Sequence, residues 1–193
     1  MGDGRNAPPV ASSDAMNIPN SLTILRILLI PVYVGFLVYE RYDHALLVLL
    51  LAGLTDGLDG TIARVANQRT RLGAFLDPLA DKLLLTSGFV TLAVMHLIPS
   101  WIAIVVVSRD LILMAGTVLA QLTDSQVDIS PTILGKGTTL FQLAYIILAV
   151  FLVSRQMDLG VLRPLLYAMV ALTLTSGFHY LYRGYVHVSA SGA

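Results

Sequence analysis

The sequence predicts an all-α, polytopic membrane protein with six transmembrane helices in one bundle. Of the 193 residues, 56% are hydrophobic and 12% charged, where soluble domains carry about 25% charged residues. The mean hydropathy is +0.78. Six apolar segments follow one another along the chain, each near the roughly 20 residues that cross a bilayer's hydrocarbon core.

Residues 1–17, MGDGRNAPPVASSDAMN, have no hydrophobic periodicity and are predicted to form a disordered tail. They lack the charged-then-apolar layout of a cleaved signal peptide, and one Arg against two Asp argues against an organellar transit peptide. A bacterial plasma (inner) membrane is the expected location. The bundle occupies 18–185, and 186–193 form a C-terminal tail. The first helix, about Leu22–Tyr39, opens through NIPNS, where Pro19 and Asn20 suit a helix start. The second, about His44–Ala63, carries Asp56 and Asp59 towards its end, and the third, about Leu72–Leu97, carries Asp77, Asp81 and Lys82 near its beginning. HLIPS turns the chain into a fourth helix, about Trp101–Leu122, and TDSQVDISP leads to a fifth, about Thr132–Val153. The sixth, about Leu162–Tyr182, follows SRQMDLGVLRP.

A formal net charge of zero gives no basic patch for nucleic acid. The absence of cysteine excludes thiol catalysis, disulfides and cysteine-ligated metals. Orientation follows from Lys and Arg in the short loops. Arg5, Arg64, Arg69, Arg71, Lys136 and Arg183 fall on one side, and Arg41, Arg155 and Arg163 on the other. The excess places both termini and the aspartate-rich end in the cytoplasm.

Asp56 and Asp59 are three residues apart, and Asp77 and Asp81 four apart, so each pair shares a helix face. A short loop makes the two helices antiparallel neighbours, so all four carboxylates lie towards one membrane surface. Like charges in a partly desolvated pocket repel and need a counter-charge. Mg²⁺ or Mn²⁺ supplies it through oxygen ligands; solvation at helix ends, or pairing with Arg64, Arg69 and Arg71, is the plainer alternative. Gly53, Gly57 and Gly60 line a GxxxG face. Helix packing suits Gly53, while Gly60 and Gly73 lie inside the acidic stretch, where backbone can approach a phosphate. Lys82 and Arg109 stand in apolar helices and need anions nearby. Asp81 and Asp110 are one source of these, and the phosphate of a substrate is another, with Lys136 able to join them. His96 and His179 are read as loop or interface residues without chemistry.

The spacing Asp56-x2-Asp59-Gly60-x2-Ala63-Arg64-x8-Gly73-x3-Asp77-x3-Asp81 resembles, at every position, the signature of the CDP-alcohol phosphatidyltransferases. The likeness extends through IPNSLTILR and the six-helix hydropathy. It implies an enzyme in which an alcohol displaces CMP from a CDP-linked lipid at the cytoplasmic membrane surface. It also implies metal ligation by Asp56, Asp59, Asp77 and Asp81, two Mg²⁺ or Mn²⁺ ions, and Asp81 as the catalytic base. Asn20, Thr23, Gly60, Arg64, Thr70 and Gly73 would contact the CDP-lipid, and Lys82, Arg109 and Lys136 the acceptor. Members resemble homodimers.

CDP-diacylglycerol is the implied donor. IPNSLTILRILLIPV and GAFLDPLADKLLL resemble family members that use sn-glycerol 3-phosphate, the leading expectation. GLTDGLDGTIAR, SRDLILM and PTILGKGTTLFQ resemble cardiolipin-forming members that use phosphatidylglycerol, and Asp110 stands where the first group usually has glutamate. An ion-coupled transporter is the alternative of another class. It would place its carboxylates near the bilayer midplane and show a repeat between its halves, and no such repeat is visible.

Overall fold

The computed structural model describes residues 18–66, 71–122 and 133–191. Six α-helices account for nearly all of them: α1 Ile18–Val38, α2 Tyr42–Ala66, α3 Arg71–Val94, α4 Ser100–Leu122, α5 Ile133–Ser154 and α6 Arg163–Ser191. A 3-10 turn, Leu159–Leu162, precedes α6. No strand occurs among the described residues.

Each helix overlaps its expected segment. The largest difference is at the end of α6, which continues through Ser191 and so includes most of the stretch expected to be a tail. Hydropathy falls after Tyr182, but YVHVSAS contains no proline or glycine to stop a helix.

Three of the helices end in the same way. After α1, Arg41 N–H donates to Phe36 C=O at 2.8 Å and Glu40 N–H to Leu37 C=O at 2.9 Å. After α3, Leu97 N–H donates to Leu92 C=O and His96 N–H to Ala93 C=O. After α5, Met157 N–H donates to Leu152 C=O and Gln156 N–H to Val153 C=O. This is the paired Schellman pattern, which needs a left-handed residue just past the helix. Glu40, His96 and Gln156 take that role at φ of 58°, 58° and 54°, although none is glycine. Since the helices alternate in direction, all three reversals lie at one end of the molecule. The acidic stretch lies towards the other. In the last reversal Asp158 caps the 3-10 turn, its Oδ1 accepting from Gly160 N–H at 2.8 Å.

Helix α3 runs through the middle, packed against α1, α4 and α5, while α5 also meets α2 and α6. Along α1, Tyr33 and Leu37 are fully buried; they meet a core that includes Leu49 and Ala52 of α2, Leu84 and Phe89 of α3, and Ile146 and Val150 of α5. The Phe89 and Tyr145 rings stack with centroids 6.1 Å apart. Gly88 permits the close crossing of α1, α3 and α5: a Cβ there would lie 3.0 Å from Tyr33 Oη and 3.1 Å from Ile146 Cδ1. A Cβ added at Gly53 meets nothing within 4 Å among the described residues, so no close helix crossing among them calls for glycine there.

The outer surface is also apolar. Leu28, Leu47, Val90, Ile104, Leu140 and Phe178 are exposed, one on each helix. Apolarity on all sides of a helix is the pattern of a lipid-facing or deeply buried element. Two stretches among the described residues, Gly137–Ser154 and Leu159–Tyr180, are long and apolar enough to cross a membrane.

Candidate active site

The expected site residues gather towards one end. Asp56, Asp59, Gly60 and Arg64 lie in the last part of α2, and Gly73 and Asp77 in the first part of α3. Asn20 opens α1 and Lys136 opens α5. Their side chains, and Thr70 altogether, lie outside the described residues. Antiparallel alternation brings these four helix ends to the same side of the bundle.

Asp81 and Lys82 are described with their partners. They sit ten and eleven residues in from Arg71, close to the middle of α3 and deeper than the sequence reading placed them. Consecutive helical residues point about 100° apart, so the two side chains reach different neighbours. Asp81 accepts from Arg26 of α1, with Nη1 to Oδ1 at 2.8 Å. Lys82 reaches the opposite way, Nζ donating to Asp110 Oδ1 of α4 at 2.7 Å. Helix α3 is thus held by a charge pair on each side at this level.

The Asp110 pair is part of a larger cluster. Arg109 Nη1 donates to the same Asp110 Oδ1 at 2.7 Å, and its Nη2 donates to Ser176 Oγ of α6 at 2.9 Å. Arg109 and Asp110 are buried, whereas Lys82 is partly open. Asp110 Oδ2 and Arg109 Nε are buried without a hydrogen-bond partner among the described residues. Among the described residues, two cations against one carboxylate give the cluster a formal charge of +1. Desolvated charges are tolerated only in such hydrogen-bonded sets, and this set joins α3, α4 and α6. Gln142 of α5 continues the polar seam, donating to Thr173 Oγ1 of α6 at 3.4 Å.

Of the two anions weighed for Lys82 and Arg109, both cations use Asp110. Asp81 pairs instead with Arg26, which sequence reasoning missed. The signal was available, because an arginine within TILRILLIPV is another cation in an apolar helix and needs an anion by the same argument. Arg26 is fully buried, as is Thr23 one turn earlier on the same face. Asp81 keeps 40% of its side-chain surface exposed.

No group of three or more potential metal ligands occurs among the described residues. The donor chemistry nevertheless fits a hard divalent cation. Asp56 and Asp59 lie in the last part of α2 and Asp77 in the first part of α3, the helix that follows it. All four candidates are carboxylates, and Asp81 has open surface.

Residues 16–178 match the family described as CDP-alcohol phosphatidyltransferase. The chain belongs to this family. Among its relatives, cardiolipin synthase (CMP-forming) of Homo sapiens is 45% identical over 114 residues, 58% of this chain and 38% of the relative. A probable cardiolipin synthase (CMP-forming) of Drosophila melanogaster is 38% identical over 148 residues, 68% of this chain and 46% of the relative. The chain therefore spans less than half the length of these two. CDP-diacylglycerol--glycerol-3-phosphate 3-phosphatidyltransferase of Haemophilus influenzae is 36% identical over 171 residues, 86% of this chain and 91% of the relative. Family membership covers all six helices at least in part, since the match begins before α1 and ends within α6.

Proposed function

We propose that this phosphatidyltransferase moves the phosphatidyl group of CDP-diacylglycerol onto a glycerol hydroxyl and releases CMP. The observation that supports the reading is that α2 and α3, joined by a short connection, carry the family signature from Asp56 to Asp81, and that Asp81 is partly exposed and ion-paired. In the reaction the acceptor oxygen bonds to the phosphatidyl phosphorus, the phosphoanhydride bond to CMP breaks, and the hydroxyl proton passes to Asp81. Asp56, Asp59, Asp77 and Asp81 would hold two Mg²⁺ or Mn²⁺ ions. Such ions neutralise charge developing on phosphate oxygens and acidify a hydroxyl. Asn20, Thr23, Gly60, Arg64, Thr70 and Gly73 hold the CDP-lipid, with Arg64 suited to bidentate contact with a phosphate.

The leading acceptor is sn-glycerol 3-phosphate, supported by the likeness to the Haemophilus influenzae relative over most of both chains. Lys82, Arg109 and Lys136 would receive its phosphate. A second reading, phosphatidylglycerol as acceptor, is favoured by the shared use of Asp110 by Lys82 and Arg109. A cluster of charge +1 suits a phosphodiester monoanion better than a phosphate monoester near two negative charges. The Homo sapiens relative's name agrees with that reading.

The protein acts as a six-span enzyme of the plasma membrane, with the site and both termini cytoplasmic, as a homodimer. In support, the helices are 21 to 29 residues long, enough at 1.5 Å per residue for a core of about 30 Å. Exposed Tyr39, Trp101 and Tyr167 cluster at the end with the tight reversals, and Tyr182 lies towards the other, as in interfacial aromatic belts.

Purified protein supplied with CDP-diacylglycerol, Mg²⁺ or Mn²⁺, and either acceptor should release CMP and yield one new lipid, resolved by thin-layer chromatography. No CMP release with either acceptor would refute the proposed reaction.

A further inference from the structure

We infer that Arg26, which lies outside the α2–α3 signature, is a positioning residue that fixes the Asp81 carboxylate from α1. The inference rests on the reaction proposed above. Arg26, Ile30, Tyr33 and Leu37 follow one another at spacings of four, three and four, which is one helix face. Tyr33 and Leu37 are fully buried on that face, so Arg26 occupies a core-facing position, and its side chain too is fully buried. Packing alone would be met there by an apolar residue, without the desolvation that a guanidinium suffers. What the arginine adds is a directed donor, and it is aimed at the last aspartate of the signature, with Nη1 to Oδ1 at 2.8 Å.

Geometry explains why such a donor is useful. Asp81 is partly open, and a carboxylate at a partly solvated helix position has more than one rotamer within reach. A charge-assisted hydrogen bond from a neighbouring helix selects one orientation. On the other flank, the Lys82–Asp110 pair restrains rotation of α3. The Asp81 carboxylate therefore meets the incoming hydroxyl already oriented. Preorganisation of this kind appears in turnover more than in binding of the donor lipid.

The test uses full-length protein in lipid nanodiscs. Arg26→Gln should lower kcat roughly ten- to a hundredfold, the scale of one charge-assisted hydrogen bond. KM for CDP-diacylglycerol should stay within about threefold, since only an interaction specific to the transition state is lost. Arg26→Lys, which keeps a cationic donor, should recover part of the rate. Thermal unfolding provides a readout that needs no turnover. Arg26→Met should destabilise the fold, and the double variant with Asp81→Asn should lose less than the sum of the two single variants, because either change alone already removes the contact they share. Unchanged kcat in Arg26→Gln would overturn the inference. So would equal rate losses in the Gln and Lys variants together with additive stability effects, since these mean that Arg26 only supports the fold. A wild type releasing no CMP would refute the reaction and this role within it, while the unfolding cycle would still report whether Arg26 and Asp81 are coupled.

Discussion

Lys82 of α3 and Arg109 of α4 donate to the same oxygen, Oδ1 of Asp110, each at 2.7 Å. The three groups are not equivalent, because among the described residues Asp110 is the carboxylate that both cations hydrogen-bond. Removing it leaves two cations without their shared counter-charge, whereas removing Lys82 leaves Asp110 paired with Arg109.

Asp110→Asn should therefore destabilise the protein by about 3–5 kcal/mol, the scale for breaking a buried ion pair from one side. Lys82→Met keeps an apolar stem of similar length and loses one hydrogen bond from a partly open group, so its cost should be smaller. Thermal denaturation in one detergent ranks the two directly. The opposite order would mean that Lys82, and not Asp110, organises this part of the bundle.

A second prediction concerns the three left-handed residues. Glu40, His96 and Gln156 are exposed and have φ near +55°, where a Cβ costs about 1–2 kcal/mol that glycine does not incur. Part of that gain is cancelled by the greater freedom of glycine in the unfolded chain. Each change to Gly should raise stability by up to about 1 kcal/mol, and the triple variant should melt at a higher temperature. Activity should stay at the wild-type level, since these reversals lie at the end away from the acidic stretch. A lower melting temperature in all three single variants would show that their side chains make contributions that the backbone argument omits.

The helices were legible in the sequence because each is a long apolar run ended by turn residues, and a span of about 20 residues leaves few alternatives. Spacing alone puts Asp56 with Asp59, and Asp77 with Asp81, on one face of their helices, while the side chains of Asp56, Asp59 and Asp77 lie outside the described residues. Pairing across helices was not legible, since it depends on how α1, α3 and α4 are rotated about their axes, and periodicity leaves that open. Adjacent helical residues do not normally face one another, which already disfavoured Lys82 pairing with Asp81. Arg109 and its neighbour Asp110 do pair at 2.7 Å, because an arginine is long enough to fold back along its own helix. The end of α6 was misjudged because falling hydropathy marks the edge of a membrane span and not the edge of a helix.

Family membership brings the signature aspartates under a sharper test. Asp56→Asn, Asp59→Asn and Asp77→Asn keep side-chain volume while removing one carboxylate charge each from the proposed metal site. Each should abolish transfer while the protein remains folded, since metal affinity responds to ligand charge more than packing does. Circular dichroism and gel filtration establish folding, and CMP release measures activity across a Mg²⁺ and Mn²⁺ series. Retained turnover in any two of the three variants would end the assignment of these residues as ligands.

The acceptor can be decided through Arg109. If glycerol 3-phosphate is the substrate, its phosphate carries close to two negative charges and must draw on the cations near Asp110, above all Arg109. Phosphatidylglycerol carries a single diester charge, and much of its binding comes from two acyl chains. A charge-assisted hydrogen bond contributes about 1.5–3 kcal/mol, so Arg109→Gln should raise KM for glycerol 3-phosphate roughly ten- to a hundredfold. KM for CDP-diacylglycerol should barely change, because its phosphates are assigned to the aspartate-held ions and Arg64. Glutamine can still donate towards Ser176 or Asp110, which keeps the seam between α4 and α6 partly satisfied and limits loss of the fold. Should the variant leave glycerol 3-phosphate kinetics untouched, or should the wild type turn over phosphatidylglycerol alone, the +1 charge of the cluster is matched to a diester and the cardiolipin-forming reading replaces the first.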